Sequence, residues 1–290
     1  MSKYYCLIAG LPSVTLDDTK LTYSVSEFKT ELDTILSDQD KQLMRWLFFK
    51  YDNHNLLSFL RKISENKFDG RGNFSAEEIR EICNLLQEED KVPEKIPVPA
   101  YFVKFIRRYY ARFEEAESIE FQLLEDYISA LYYNEAIECK NVFLSSWFEM
   151  NLNIGNILTA QNCQKYGLDK SSYIIGQNEI ARQLRQSSAR DFNIGKTLDY
   201  ITEIVQIAED QDLIMREKHL DALRWKWLDD NTFFKTFDIE SVIAYMLRLE
   251  MIERWILLDK VRGEKTFRKL VSDMKQESSD TLEEFKKNNK

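Results

Sequence analysis

The chain has 290 residues, 44% hydrophobic and 13% aromatic, enough for one large domain or two to three small ones with ample apolar surface, which excludes disorder over most of its length. A formal charge of −9 argues against nucleic acid, whose binding relies on lysine and arginine displacing counterions, and favours a partner with a basic surface. Cys6, Cys83, Cys139 and Cys163 show neither C-x-x-C spacing nor a dense framework, nothing resembles a signal peptide, and no run nears the ~20 uncharged residues that cross a bilayer; buried free thiols in a reducing cytoplasm are expected.

In chain order, the apolar run Tyr4-Tyr5-Cys6-Leu7-Ile8-Ala9 stops at Gly10-Leu11-Pro12 and is expected to be an extended or irregular opening segment. Residues 24–36 place Phe28, Leu32, Ile35 and Leu36 at helical spacing behind Ser24 or Ser26 as cap. Residues 38–60 continue helically, with a break expected near Asp52 to Asn55, where Asp, Asn and His side chains compete with the backbone for hydrogen bonds. Residues 91–99 hold Pro93, Pro97 and Pro99, which keep the backbone extended and mark a linker.

No proline follows Pro99, so the rest of the chain is open to long helices. One or two of them are expected from Ala100 to about Asn151, making a hairpin or bundle rich in aromatics. Residues 155–176, punctuated by glycines and polar side chains, read as short helices and turns. Further helices are expected at 178–186, 198–208, 213–227 and 239–258, the last with a stripe of Ile239, Val242, Ile243, Met246 and Leu249. From Ser278 onward little can be buried, and fraying is expected.

A pattern of about thirty residues recurs three times: apolar helix, glycine break, short helix. In the first copy the helix 43–51 leads into Asp52-x-x-Asn55-Leu56, then Gly70, Gly72 and Phe74-Ser75-x-Glu77-Glu78. The second runs Trp147-Phe148-Glu149, Asn153-Ile154, then Gly167 and residues 171–175. The third runs Tyr245-Met246-Leu247, Glu250-x-x-Glu253, then Lys260, Arg262, Gly263 and Thr266-Phe267. These place related units around Asn55, Asn153 and Glu253. The organisation expected is all-α, three related helical units forming a funnel or elongated helical bundle: 1–92, a Pro-rich linker 93–99, 100–190, 191–277, and a tail 278–290.

No catalytic constellation competes with this repeat. His54 and His219 are the only histidines, and neither stands three residues after a glutamate as in helical di-metal sites, so they read as polar surface or satisfied core residues. Glu114, Glu115, Glu117 and Glu120 cannot be told from a solvated helix face. Gly70-Arg71-Gly72-Asn73 fits neither a phosphate loop nor a dinucleotide fingerprint and reads as a turn. Residues 104–113 interleave Lys104, Arg107, Arg108 and Arg112 with aromatics, which could stack bases, but the glutamates that follow offer those arginines pairs across helical turns. Ser26-x-x-Lys29 matches a serine acyl-enzyme spacing without its companion motifs. Neither catalytic nor cofactor nor metal residues are assigned. A carboxylate-metal enzyme rests only on abundant helical glutamate.

The third copy carries a resemblance. Phe237-Asp238-Ile239-Glu240-Ser241-Val242-Ile243-Ala244-Tyr245-Met246-Leu247, with Glu250 and Leu257-Leu258-Asp259-Lys260-Val261-Arg262-Gly263, resembles the C-terminal region of the C-type subunit of V/A-type rotary ATP synthases, the d-type in eukaryotes. That family is built from three related helical units, and residues 149–158 with Gly167 are similar to its central one. Where the family carries an Asn-Leu-Arg-like segment, Glu253-Arg254-Trp255 stands here, while Asn55-Leu56 and Asn153-Ile154 keep the asparagine without the arginine. Such departures suit a divergent bacterial branch, of a kind filed as a family of unknown function. The resemblance covers the three cores and leaves residues 91–133 poorly matched.

It implies a non-catalytic coupling part: a socket on the cytoplasmic face of the membrane proteolipid ring, holding the foot of the central stalk, without cofactor and without direct lipid insertion. The alternative from the repeat alone is a free-standing helical scaffold or regulatory protein.

Overall fold

The computed structural model describes residues 4–63, 68–112, 121–189, 191–258 and 263. Among them the chain is all-α, with twelve helices and no strand. In chain order these are α1 (Tyr5–Gly10), α2 (Val25–Ile35), α3 (Asp38–Leu60), α4 (Ala76–Glu88), α5 (Ala100–Arg112) and α6 (Phe121–Ile137). They continue as α7 (Val142–Tyr166), α8 (Lys170–Tyr173), α9 (Glu179–Gln186), α10 (Ile201–Glu209), α11 (Leu213–Thr232) and α12 (Ile239–Leu257). The chain divides into two compact units, Met1–Glu31 with Thr236–Lys290, and Leu32–Lys235.

In the second unit α6 lies between α5 and α7 and also meets α3, while α4 packs on both α3 and α5. An aromatic core fills this junction. Trp46 stacks on Tyr132 at 6.3 Å, Phe49 meets Tyr101 edge-on at 6.1 Å, and Tyr132 meets Phe148 edge-on at 5.5 Å. Such pairs each add about 0.5–1.5 kcal/mol beyond the burial of their surface. Periodicity alone accounts for α4, whose Ile79, Ile82, Cys83 and Leu86 all face inward. The same unit continues through α7, which carries α8, α9 and α10, with α11 packed on α10.

Helix ends follow local chemistry. Ser75 and Glu78 form a reciprocal capping box at α4, and Asn141, Asn178 and Asp212 cap α7, α9 and α11; each such cap contributes on the order of 1 kcal/mol. Gly167 closes α7 in the left-handed conformation at φ 67°, which glycine adopts without a Cβ penalty.

In the first unit Ser24, rather than Ser26, heads α2. Its hydroxyl accepts the Glu27 amide at 3.1 Å, and Glu27 accepts the Ser24 amide at 2.8 Å. Phe28 packs edge-on against Tyr245 of α12 at 5.2 Å. The opening run is helical, not extended, because tertiary contacts hold it: the Tyr4 amide donates to the Phe237 carbonyl and the Tyr5 ring lies 4.7 Å from Phe237.

Three further expectations need correction. Residues 38–60 form one unbroken helix, since Asp52, Asn53 and Asn55 turn their side chains to partners outside α3 instead of to its backbone. Among the described residues of 100–166 there are three helices, and α7 runs through Gly155, where a side chain would meet only open space. Of the cysteines, Cys83 and Cys163 are buried, Cys139 is half-buried and Cys6 is exposed, because the short α1 buries none of its residues. Burial pushes the Cys83 thiol up to about 12. Residues 91–99 are irregular and lie inside the second unit, with the Pro97 carbonyl accepting from Arg45 at 3.3 Å. The tail from Ser278 lies outside the described residues.

Candidate functional site

The polar centre of the second unit grows from an unusual run in α3. Asp52, Asn53 and Asn55 are buried in the middle of a helix, a placement that costs several kcal/mol unless every polar atom finds a partner. The loop 69–74 supplies partners for two of them. Asn55 grips the backbone of Asp69 with both ends of its amide, Nδ2 donating to the carbonyl at 3.0 Å and Oδ1 accepting the amide at 2.7 Å. One turn earlier, Asp52 Oδ1 accepts the amides of Asn73 and Phe74 at 2.7 and 3.0 Å, and Oδ2 accepts Asn73 Nδ2 at 2.8 Å. Asn53 points elsewhere and accepts the Tyr101 hydroxyl at 2.7 Å, which ties α3 to α5. Burial holds that phenol well above its ordinary value, with Asp52 and Glu135 adding to the effect.

Gly72 is required by this closeness. A Cβ there would come within 2.6 Å of Asp52 Oδ1 and 3.2 Å of Asn55 Nδ2. The loop's own charge is held by Arg71, which reaches both carboxylate oxygens of Asp69 at 2.9 and 2.7 Å and lies 4.1 Å over the Tyr51 ring. Burial raises the Asp69 carboxyl, but the Arg71 hydrogen bonds and charge outweigh it and leave the group below its ordinary 3.8. A folded-state value below the unfolded one stabilises the protein above pH 3.8, and this contribution is lost as pH falls through the folded value. Urea midpoints of Asp69→Asn are therefore expected to lie below wild type at neutral pH and to converge on it as pH is taken below 3.8.

α7 repeats the device. Asn156 Nδ2 donates to the Ile175 carbonyl at 2.8 Å and Oδ1 accepts the Ile175 amide at 3.0 Å. One turn earlier, Asn153 Oδ1 accepts Asn178 Nδ2 at 2.8 Å, while Asn178 Oδ1 caps α9 through the Ala181 amide at 3.0 Å. Arg185 closes the loop from α9 by donating to the carbonyls of Ile174 and Gly176 at 2.8 and 2.7 Å. Gly176, at φ 81°, would push a Cβ to 2.9 Å from Leu152. Thus α3 with α4 and α7 with α9 are the same element: a long helix, a polar pair one turn apart, a loop held by its backbone, and a capped second helix.

In the first unit, α12 bears Glu250 and Glu253 at the same spacing, and Glu253 accepts the Val25 amide at the start of α2 at 3.0 Å. A long helix there again holds the beginning of a shorter one, although the shorter one precedes it in the chain; Lys260, Arg262 and Thr266-Phe267, expected to complete the third copy, lie outside the described residues.

The hydrogen bonds move the register of the sequence repeat by one turn. Asn55 corresponds in role to Asn156, and Asp52 to Asn153. Asn156 and Asn178 were missed as key residues, and Asp52 was read only as the start of Asp52-x-x-Asn55 and of an expected helix break; their signal was an Asp/Asn pair spaced by three within an apolar helix, followed by a glycine-containing loop and a capping residue.

The other candidates fall apart from one another. His54 is exposed on α3, and His219 on α11 lies 3.6 Å from Asp210. Gly70 to Asn73 form the turn that Asp52 holds. Arg107 pairs with Asp90 at 2.6 Å, while Phe113, Glu114, Glu115, Glu117 and Glu120 lie outside the described residues. Ser26 is exposed and its carbonyl accepts from Thr30. Among the described residues no group of three or more His, Cys, Asp or Glu side chains could hold a metal, and no helix is long and apolar enough to cross a membrane. The lone pairs of Asp52 and the amides of Asn55 and Asn156 are taken up by structural bonds, so this arrangement fixes loops to helices.

No curated protein and no solved structure matches the chain. A family model matches residues 1–278, and the chain belongs to that family, described as "Protein of unknown function (DUF2764)".

Proposed function

We propose that this chain is a non-catalytic central-rotor subunit of a V/A-type ATP synthase, a socket that couples the central stalk to the membrane proteolipid ring. The observation that carries the reading is the duplicated helix–clamp–helix element of α3/α4 and α7/α9, set beside the resemblance of residues 237–263 to the C-type subunit, whose family is itself built from repeated helical units. The physical demands agree with it. A part that transmits torque must not yield at its loops, and here two loops are fastened to helix interiors by buried side chains and not by flexible surface contacts. Seating on polar loops of the ring asks for no transmembrane helix and places the protein at the cytoplasmic face.

The test is purification of the chain, tagged at its chromosomal locus, from detergent-solubilised membranes. Stoichiometric recovery of stalk and proteolipid subunits is the expected result. A chain found wholly in the soluble fraction, without those subunits, overturns the reading in favour of a free-standing helical scaffold or regulator.

A further inference from the structure

The surface of α5 carries a feature that the rotor reading does not use. Between α5, α6 and the segment 92–98 lies a groove of about 700 Å³ whose lining includes Val92, Val98, Ala100 and Val103. Lys104, Arg107 and Arg108 stand along it. Their spacing, three and four residues apart, puts all three cations on one face of α5. Arg107 pairs with Asp90. Arg108 lies 4.8 Å over the ring of Tyr127, which lines the groove from α6. The Tyr127 hydroxyl is buried and finds no hydrogen-bond partner. In a chain of net charge −9, an apolar trough bordered by cations is a local reversal of sign.

We infer that this groove docks an acidic amphipathic helix of a partner protein, its apolar side chains against the valines and its carboxylates on Lys104 and Arg108. Charge complementarity selects the sign of the partner, and the apolar lining selects a peptide over a bare anion. A phosphate ligand fits poorly, because anion sites of that kind use free amides at a helix N-terminus. At α5 the first amides are taken: those of Ala100 and Tyr101 donate to Glu135 at 3.3 and 2.6 Å. This inference is independent of the rotor reading, since it concerns one face of the isolated chain.

The full-length protein is titrated with a synthetic fluorescent peptide of about four helical turns, leucine on one face and glutamate on both flanks. A twin with lysine in place of glutamate, and vesicles of anionic lipid, serve as competitors for the assignment. Binding of the acidic peptide alone is expected, weakening with salt, with chemical-shift changes at the methyls of Val98 and Val103. Lys104→Glu with Arg108→Glu should weaken it at least about tenfold, and the neutral pair Lys104→Gln with Arg108→Gln should fall between. Both pairs sit on exposed positions, and unchanged circular dichroism checks the fold. Equal binding of the lysine twin, indifference to both double variants, binding of vesicles in place of peptide, or no peptide binding at all would each overturn the assignment.

Discussion

Asp52→Ala is expected to destabilise the second unit by about 3 kcal/mol or more, the largest effect expected of any single polar side chain described above. Three donors lose their acceptor at once, two of them backbone amides, and those of Asn73 and Phe74 sit where α4 begins. A buried amide left without a partner costs about 1–3 kcal/mol, and bonds to an ionised acceptor are at the strong end of that range. Asp52→Asn keeps one oxygen for the two backbone amides but sets its own NH2 against that of Asn73, so a smaller loss of about 1–2 kcal/mol is expected. Gly72→Ala should be costly alone, because its Cβ must displace Asp52 Oδ1 from 2.6 Å, and far less costly once Asp52 is already alanine. This non-additivity is the signature of direct contact. Four of the five tryptophans, Trp46, Trp147, Trp225 and Trp227, lie in this unit, so urea unfolding followed by their fluorescence reads the effect. Additive costs for Asp52→Ala and Gly72→Ala would show that the clamp does not hold the loop.

Asn156→Ala should cost about 2–4 kcal/mol by the same measurement, leaving both the amide and the carbonyl of Ile175 without their partner. Asn156→Asp is the sharper variant. It preserves shape and one bond, yet it places a carboxylate oxygen against the Ile175 carbonyl, so it should be as damaging as alanine. Asn55→Ala and Asn55→Asp, acting on Asp69, should reproduce the pair of outcomes. A clamp that tolerates aspartate at either site would mean that only the accepting half of the asparagine matters. Parallel losses at Asn55 and Asn156 are what a duplicated element requires, and they would also bear on the rotor proposal, since rigid loops are its physical premise.

Much of the fold was legible because helix formation is local. The stripe of α12 and the helical spacing of α2 behind a serine cap can each be read within one or two turns of sequence. The clamps were not legible in the same way. Asp52 and Asn55 look like helix breakers by local chemistry, because their side chains can compete for their own backbone. Their actual partners lie 21 and 14 residues away, and that of Asn156 lies 19 away. Only a chain that has already packed its helices brings those groups together, and once together they remove the competition that would have broken α3.

What the sequence determined by itself, then, is the helical class, most helix positions, and the recurrence of apolar helix, break and short helix that α3/α4 and α7/α9 display. Periodic burial and capping act over a few residues, so a single chain displays them in full. Only the tertiary structure decided that α1 is helical and that the recurrence is in register at Asn55 and Asn156 instead of at Asn153. Each of these depends on pairings between distant segments, such as Tyr5 with Phe237 or Asn156 with Ile175. Their free energy exists only when desolvated polar groups meet partners that the fold itself delivers.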